Sequence, residues 1–410
     1  MPTSKYFARA LSVALLCACA APEKPATPGV HRSTSGDTTI VYTVGDGVWG
    51  PLHDAVEVLR VAETSKETTF GQIQMIAPTP DGGLLIHDVK AAEGEAVRQF
   101  SPDGKFIRNI GRKGRGPGEY SVGFVAMAVA PNGTIVLREP FTGIKRYRPN
   151  GVFINEFASD RRSGSHEFVI TSDTTMYLRG SVRTGSSLGV AAMVQYDTAG
   201  LDIDSLVAPR WLMNEAPSDF LFGALTPRQS WTIASDGRMV ITRSDKLGFL
   251  VIDPRTQSTP LVGEVAATPI PISDDERAER ERVDKWSEAN CGLIENGKVV
   301  VEGPKAQPVP KIKPLMKAVD VDNNGRVWLW KRTPSVQIPS HTVRACDGKS
   351  TEGTFTERGR VIAAFQLDGT YLGEVRFPDK AGRIVFVGDF AWATVANDEG
   401  VQQLIKFRLH

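Results

Sequence analysis

An all-β ring of six four-stranded units is the fold this sequence predicts, and three observations carry it. First, an apolar stretch, a polar-Gly turn and a second apolar stretch recur: Ile76 to Pro80 before Asp81 and Gly82, Met127 to Pro131 before Asn132 and Gly133, Trp231 to Ser235 before Asp236 and Gly237, Ala318 to Asp322 before Asn324 and Gly325. Second, an aromatic or aliphatic residue then leads into another turn, at Phe100 to Gly104, Tyr147 to Gly151, Tyr196 to Gly200, Ile252 to Arg255 and Phe365 to Gly369. Third, the last occurrence of this second pattern, Phe407 to His410, stops before a fourth strand.

Each element follows from local chemistry. Lys5 and Arg9 form a basic region, Ala10 to Leu16 a short apolar run and Leu16 to Cys19 a cleavage region, so residues 1–18 read as an export signal peptide. The run falls well short of the roughly 20 apolar residues a membrane span needs. Pro22 to Gly36 is rich in Pro, Ser, Thr and Gly with no apolar period, which predicts a flexible tether over 19–38 and the folded ring over 39–410. Val56 to Val61 is an orphan strand ahead of the first turn. It is expected to supply the missing strand of the last unit, closing the ring and removing an open sheet edge.

Leu84 to Ile86, Thr134 to Leu137, Met176 to Leu178, Met239 to Thr242 and Val327 to Trp330 are β-rich, and each pairs through its turn with the strand before it. Turns at Gly82, Gly133, Asp173, Gly237, Gly325 and the Gly388–Asp389 region count six units of strands a to d. Units 3 and 4 depart from the pattern, with Asp173 in place of a turn glycine and Pro254 to Thr256 in place of the second turn. Three segments exceed ordinary loop length: 209–229, 271–317 and 332–360. In a radial ring the d-to-a and b-to-c connections share one rim, so all three insertions are expected on one face. Ser273 to Glu276 is a capping-box sequence ahead of a charged run to Asn290, predicting one short exposed helix with a solvated charged face.

The chain resembles the six-bladed β-propellers of the NHL-like kind found in bacterial lipoproteins. The resemblance covers roughly residues 56–410 and rests chiefly on Ile110 to Tyr120, close to a Gly-Gly-Pro-Gly-Glu-aromatic loop of that group, and on Gly325 to Trp328. Leu16 to Cys19 also resembles the bacterial lipobox, which implies that Cys19 is the lipid anchor and the mature N-terminus. Ala20, rather than Asp, after that cysteine implies an outer-membrane lipoprotein facing the periplasm or the exterior; without the anchor the protein would be secreted. With Cys19 acylated, Cys291 and Cys346 remain, in two insertions beside the same blade. They are a candidate disulfide, with two buried free thiols as the alternative.

A net charge of +1 and 41% hydrophobic content imply a large core and no nucleic-acid partner. Arg112, Lys113 and Arg115, interleaved with glycines and followed by Glu119, form a candidate anion nest without the Lys-Ser/Thr ending of a nucleotide loop. Asp88, Glu139, Arg179, Arg243 and Lys331 end strands b and are expected around a central funnel. The competing account pairs Asp88 with Arg98 and Glu139 with Lys145 or Arg146 as blade-stabilising ions. Gly185 to Gly189 matches a serine-hydrolase pattern but has no helix behind it. Asp320 to Gly325 begins like a calcium loop, yet its twelfth position is Lys331. The histidines show no metal-type spacing, so no metal, cofactor or catalytic residue is assigned. The expectation is a monomeric binding module for a peptide, glycan or protein, using its insertion-covered face, with Trp211, Phe220, Phe222 and Trp231 as candidate apolar contacts and membrane contact through the lipid anchor only. The alternative is a metal-assisted hydrolase or lyase with its site in the funnel.

Overall fold

The computed structural model describes residues 27–91, 96–120, 126–139, 143–157, 168–172, 175–182, 190–196, 202–207, 225, 229–256, 258–291, 293–295, 298–301, 306, 308–344 and 348–410. Six four-stranded antiparallel blades follow one another along the chain. Blade 1 is Ile73–Pro78, Leu84–Asp88, Ala96–Phe100 and Phe106–Asn109; blade 2 is Ala126–Val129, Ile135–Glu139, Gly143–Tyr147 and Phe153–Phe157. Blade 3 is Phe168–Ser172, Thr175–Val182, Val190–Tyr196 and Asp202–Val207; blade 4 is Gln229–Ile233, Met239–Arg243, Leu247–Asp253 and Ser258–Val265. Blade 5 is Met316–Val321, Arg326–Lys331, Arg360–Gln366 and Tyr371–Phe377. Blade 6 is Ala381–Val387, Phe390–Ala396 and Gln402–Arg408, with Val56–Arg60 as its outer strand. The chain is a six-bladed β-propeller.

The repeated turns share one geometry. Gly82, Gly133, Gly237 and Gly325 take φ values of 88°, 84°, 86° and 75°, and each donates its N–H to the carbonyl three residues back, at 2.8 to 3.0 Å. A side chain disfavours that left-handed region, which explains why the pattern holds glycine there.

The core lies between blades. Strand alternation sends Val327 and Leu329 toward blade 4, against Val240 and Phe249, and sends Trp328 toward blade 6, where its ring stacks on Phe386 at 3.9 Å. Equivalent clusters join blades 1 and 2 through Leu85 and Tyr147, 2 and 3 through Ile144 and Met176, 3 and 4 through Tyr177 and Trp231, and 6 and 1 through Trp392 and Phe100.

Ring closure is as the sequence predicts. Val56–Arg60 runs antiparallel to Gln402–Arg408, in a register that places Val56 opposite Arg408 and Arg60 opposite Ile405. The Val61 N–H then donates to the Leu404 carbonyl at 3.0 Å, and its side chain is buried in the seam between blades 6 and 1.

The segment before it corrects the tether. Gly29–Ser35 and Thr38–Val44 form a hairpin, and the second of these strands lies parallel to Ser258–Val265 on the outer edge of blade 4. His53–Asp54 then lies parallel to Val375–Arg376 on the outer edge of blade 5. Between them the Trp49 N–H donates to the Leu372 carbonyl at 2.7 Å, and the Trp49 ring stacks on His410 at 4.7 Å. Residues 29–61 are thus a strap that covers two blade edges before completing a third. The physical reason is edge protection: unpaired N–H and C=O groups on outer strands are satisfied by adding strands. Thr38 to Val44, a β-branched run behind the Gly36–Asp37 turn, carried the signal.

The middle insertion contains the helix α1, Asp274–Asn290, whose N-cap Ser273 accepts the Glu276 N–H at 3.2 Å. The final insertion is a hairpin of Ser335–Arg344 and Ser350–Glu357. The charges of α1 are not simply solvated. Glu279 accepts the N–H groups of Thr354 and Phe355 at 2.8 and 3.0 Å, Arg280 donates to the Phe355 carbonyl at 3.1 Å and Arg282 to the Glu352 carbonyl at 2.7 Å. The helix therefore closes the free edge of the hairpin. Leu225 packs on Ile272 and Val309, which places the first insertion against the second; Trp211, Phe220 and Phe222 lie outside the described residues. Trp231 is buried in the seam between blades 3 and 4 rather than on a binding surface.

Candidate functional site

The six a strands line a central channel. Its wider end, about 1090 Å³, is bounded by early strand-a residues such as Ile73 and Gly382, late strand-b residues Trp330 and Thr394, and early strand-c residues Arg360 and Gln402. Those positions place its mouth on the rim of the b-to-c connections, the face that carries the insertions. The narrower end, about 220 Å³, is bounded by Pro78, Val129, Asn323 and Phe386, at the tight a-to-b turns. Met75, Ile76, Met127, Val169, Val321 and Val385 give the wide end an apolar wall.

Polar side chains share the lining, and most of them come from blades 5 and 6. Asp320 faces the channel, accepts the Trp330 indole N–H at 2.6 Å, and has its pKa raised by burial inside the ring. Gln402 bridges blades 6 and 1 by accepting the Ile73 N–H at 2.6 Å. Arg360 opens strand c of blade 5 and Arg383 lies early in strand a of blade 6; both line the channel and both are exposed to it. Burial lowers the Arg360 pKa, and no acid offsets that effect.

The strand-b charges are committed to the scaffold instead. Asp88 is fully buried, accepts the N–H groups of Gly71, Gln72 and Lys90 at 3.0, 2.8 and 3.1 Å, and lies 3.6 Å from Arg98. Glu139 is buried against Lys145, whose ammonium also meets Glu156 at 3.0 Å. Lys331 pairs with Glu374 across blade 5. These side chains hold blades together and leave the funnel to other residues. The backbones of Arg179 and Arg243 sit in strands b of blades 3 and 4; their side chains lie outside the described set.

The Gly-rich loop fills its own nest. Glu119 accepts the Gly116 N–H at 2.8 Å and the Arg112 Nε–H at 2.6 Å, and these two bonds hold its pKa below the usual carboxylate range. An ideal Cβ on Gly114 would lie 2.0 Å from the Glu119 carboxylate, so that glycine makes room for an internal anion. Lys113 and Arg115 are exposed beside it. An external anion would have to displace Glu119, which overturns the nest as a ready ligand site.

Asp322 behaves as a turn cap: its Oδ1 accepts the N–H groups of Asn324 and Arg326, both at 2.9 Å, and its Oδ2 accepts the Trp328 indole N–H at 3.1 Å. Among the described residues no three His, Cys, Asp or Glu side chains gather in a way that could hold a metal ion. His87 is buried, His341 lies in the insertion hairpin, and His166 and Gly185 to Gly189 fall outside the described residues. Cys291 caps α1; Cys346 and Cys19 fall outside the described residues.

Sequence reasoning missed Arg360, Arg383 and Asp320 as channel residues. Arg360 ends an insertion and Arg383 follows a Gly in an irregular strand, so neither carries a motif. Only the position of each on the inner strands or at their rim marks it.

A family described as 6-bladed beta-propeller matches residues 51–122. That stretch holds the closing strand, blade 1 and the Gly-rich loop. No curated protein matches the chain by sequence. Among solved structures the chain is similar to a protein described as exported from Bacteroides fragilis, at 13% identity, covering 90% of this chain and 99% of that one with a TM-score of 0.49. It is also similar to a gluconolactonase from Xanthomonas campestris, at 11% identity, 88% and 99% coverage and a TM-score of 0.39. A third is virginiamycin B lyase from Staphylococcus aureus, at 12% identity, 87% and 99% coverage and a TM-score of 0.38.

Proposed function

We propose that this propeller is a binding module of the cell envelope, which takes a peptide, glycan or protein partner on its insertion-covered face. One observation supports this most: the wide mouth of the channel opens on the rim that the helix and hairpin insertions build up, while Asp88 and Glu139 at the strand-b ends are consumed by scaffold contacts. A concave site that sets an apolar wall beside charged and amide groups suits recognition. Because a propeller scaffold hosts unrelated functions, the argument rests on this site alone.

The test uses the full chain on a panel of immobilised peptides and glycans, beside a variant in which residues 338–354 are replaced by an Asn-Gly turn. Gln337 and Phe355 are paired in the hairpin, so the shortened form can still close. A set of panel members bound by the full chain and weakened at least about tenfold by the trimming is expected. Equal binding by both proteins, or turnover of panel members by the full chain, would overturn the reading.

The envelope address rests on the signal region and on Cys19. Among the described residues no helix is long and apolar enough to cross a membrane. The disulfide reading pairs Cys291 with Cys346: the Lys349 ammonium donates to Asn290 Oδ1 at 3.0 Å, which brings the end of α1 to the hairpin's return strand. Intact-mass analysis of the chain expressed with its own leader checks both. A mass gain of acyl chains abolished by Cys19→Ser, and a Cys291–Cys346 peptide seen only without reductant, are the expected results. An unacylated mass or a different cysteine pairing would refute the corresponding claim.

A further inference from the structure

Two guanidinium groups line the channel mouth with no ion-pair partner among the described residues. Among the described residues, neither Arg360 nor Arg383 has a side-chain hydrogen-bond or ion-pair partner; the backbone of Arg360 pairs with Phe377, and the Arg383 N–H donates to Thr394 Oγ1 at 2.9 Å. They come from adjoining segments: the Gly359 N–H donates to Asp379 Oδ1 at 2.5 Å, tying the start of the Arg360 strand to the connection that leads into the Arg383 strand. Several other cations near that rim are committed to the scaffold. Arg98, Lys145, Lys331, Arg332 and Lys317 are all paired with carboxylates of the chain itself.

We infer that Arg360 and Arg383 form the anion-binding end of the channel, which takes a ligand with a carboxylate or phosphate group at the mouth and an apolar body below it. Guanidinium forks match those oxygens with paired N–H donors. The apolar body is set by Met75, Ile76, Met127 and Val169 on blades 1 to 3. Asp320 and its Trp330 donor sit on the same wall and bound the anion's position from blade 5. The partly enclosed Arg360 charge is costly when alone, and an incoming anion relieves that cost. This inference rests on the binding reading above, because it names what the face would recognise.

The test measures binding of octanoate, octylamine and inorganic phosphate to the full chain by calorimetry. Wild-type protein is expected to bind octanoate and to reject octylamine. Arg360→Gln with Arg383→Gln should weaken octanoate at least about tenfold, the corresponding Arg→Lys pair should retain part of the affinity, and thermal unfolding should be unchanged in both. Competition by inorganic phosphate assigns the site to phosphate-bearing ligands, and its failure to compete assigns it to carboxylates with an apolar body. Equal binding of octanoate and octylamine, no octanoate binding, or unaltered affinity in the double Gln variant would overturn the inference. Panel binding that survives the double Gln variant but is lost on trimming 338–354 would sink the anion site alone and leave the binding face standing.

Discussion

Deleting Val56 to Val61 is expected to open the ring and cost about 5 kcal/mol or more, which is on the order of the whole stability of a typical domain. The strand is the fourth member of blade 6, and its loss exposes the ladder of Gln402–Arg408 as a free edge. It also removes Val61 from the seam with blade 1 and uncovers Leu404 and Trp392 there, so one deletion damages a sheet and an interblade core together. Each lost ladder bond contributes about 1 kcal/mol and each buried aliphatic side chain about 2 kcal/mol. Two comparisons make the expectation specific. Removing residues 29–45 should cost much less, because blade 4 keeps its own four strands. Appending the Val56 to Val61 sequence after His410 through a short turn should restore folding, because the antiparallel register sets Val56 opposite Arg408. Denaturant unfolding of the three variants measures this. Equal loss in the two deletions, or no rescue by the appended strand, would show that closure is not the source of the stability.

Lys313→Met is expected to release the insertions from blade 5 while sparing the ring. The Lys313 ammonium is fully buried, 3.1 Å from Glu276 and 3.7 Å from Glu357, and it donates to Ser335 Oγ at 2.5 Å. Glu276 belongs to α1 and Glu357 to the hairpin, so one cation ties both insertions to the strand leading into blade 5. Removing it leaves buried carboxylates short of a counter-charge, at a cost of about 3–5 kcal/mol. Adding Glu276→Leu removes one orphaned charge and should recover much of that loss. Hydrogen exchange across 274–290 and 335–357 reads the effect locally. Unchanged protection there would mean the network is decorative.

The same network gives a pH dependence with a definite sign. Burial alone would raise the Glu357 pKa, but Lys317 and Arg332 override it and hold the carboxyl below its ordinary value of 4.5. A depressed folded pKa contributes stability that is fully present above about 4.5 and is lost as pH falls through the lower folded value. Protection of the insertions should therefore be flat from pH 7 to about 5 and decline below that. The blade cores, held by apolar seams, should respond less.

Much of the architecture was legible because it depends on short-range rules. Period-two alternation, glycine at the left-handed turn position and a capping Ser are local signals, and each reappears in the structure at Val327 to Leu329, at Gly82 and at Ser273. Asp88 with Arg98 and Glu139 with Lys145 were legible for a similar reason, since strands b and c are joined by short connections and each pair lies diagonally across the ladder, two residues from direct register. Glu119 was misread because a glycine-rich loop with cations looks identical in sequence whether its anion is external or seven residues from Arg112.

By itself, then, the sequence determined the blade repeat, the number of blades, the strand that closes the last one and the face that carries the insertions. Only the tertiary structure decided that residues 29–54 strap the outer edges of blades 4 and 5, that α1 seals a hairpin through Glu279, and that Arg360 and Arg383 both line the channel. The division has one cause. Turn geometry and strand period are written in neighbouring residues, whereas parallel edge pairing across more than 200 positions and the convergence of inner strands depend on where the closed ring brings distant segments, which no local pattern encodes.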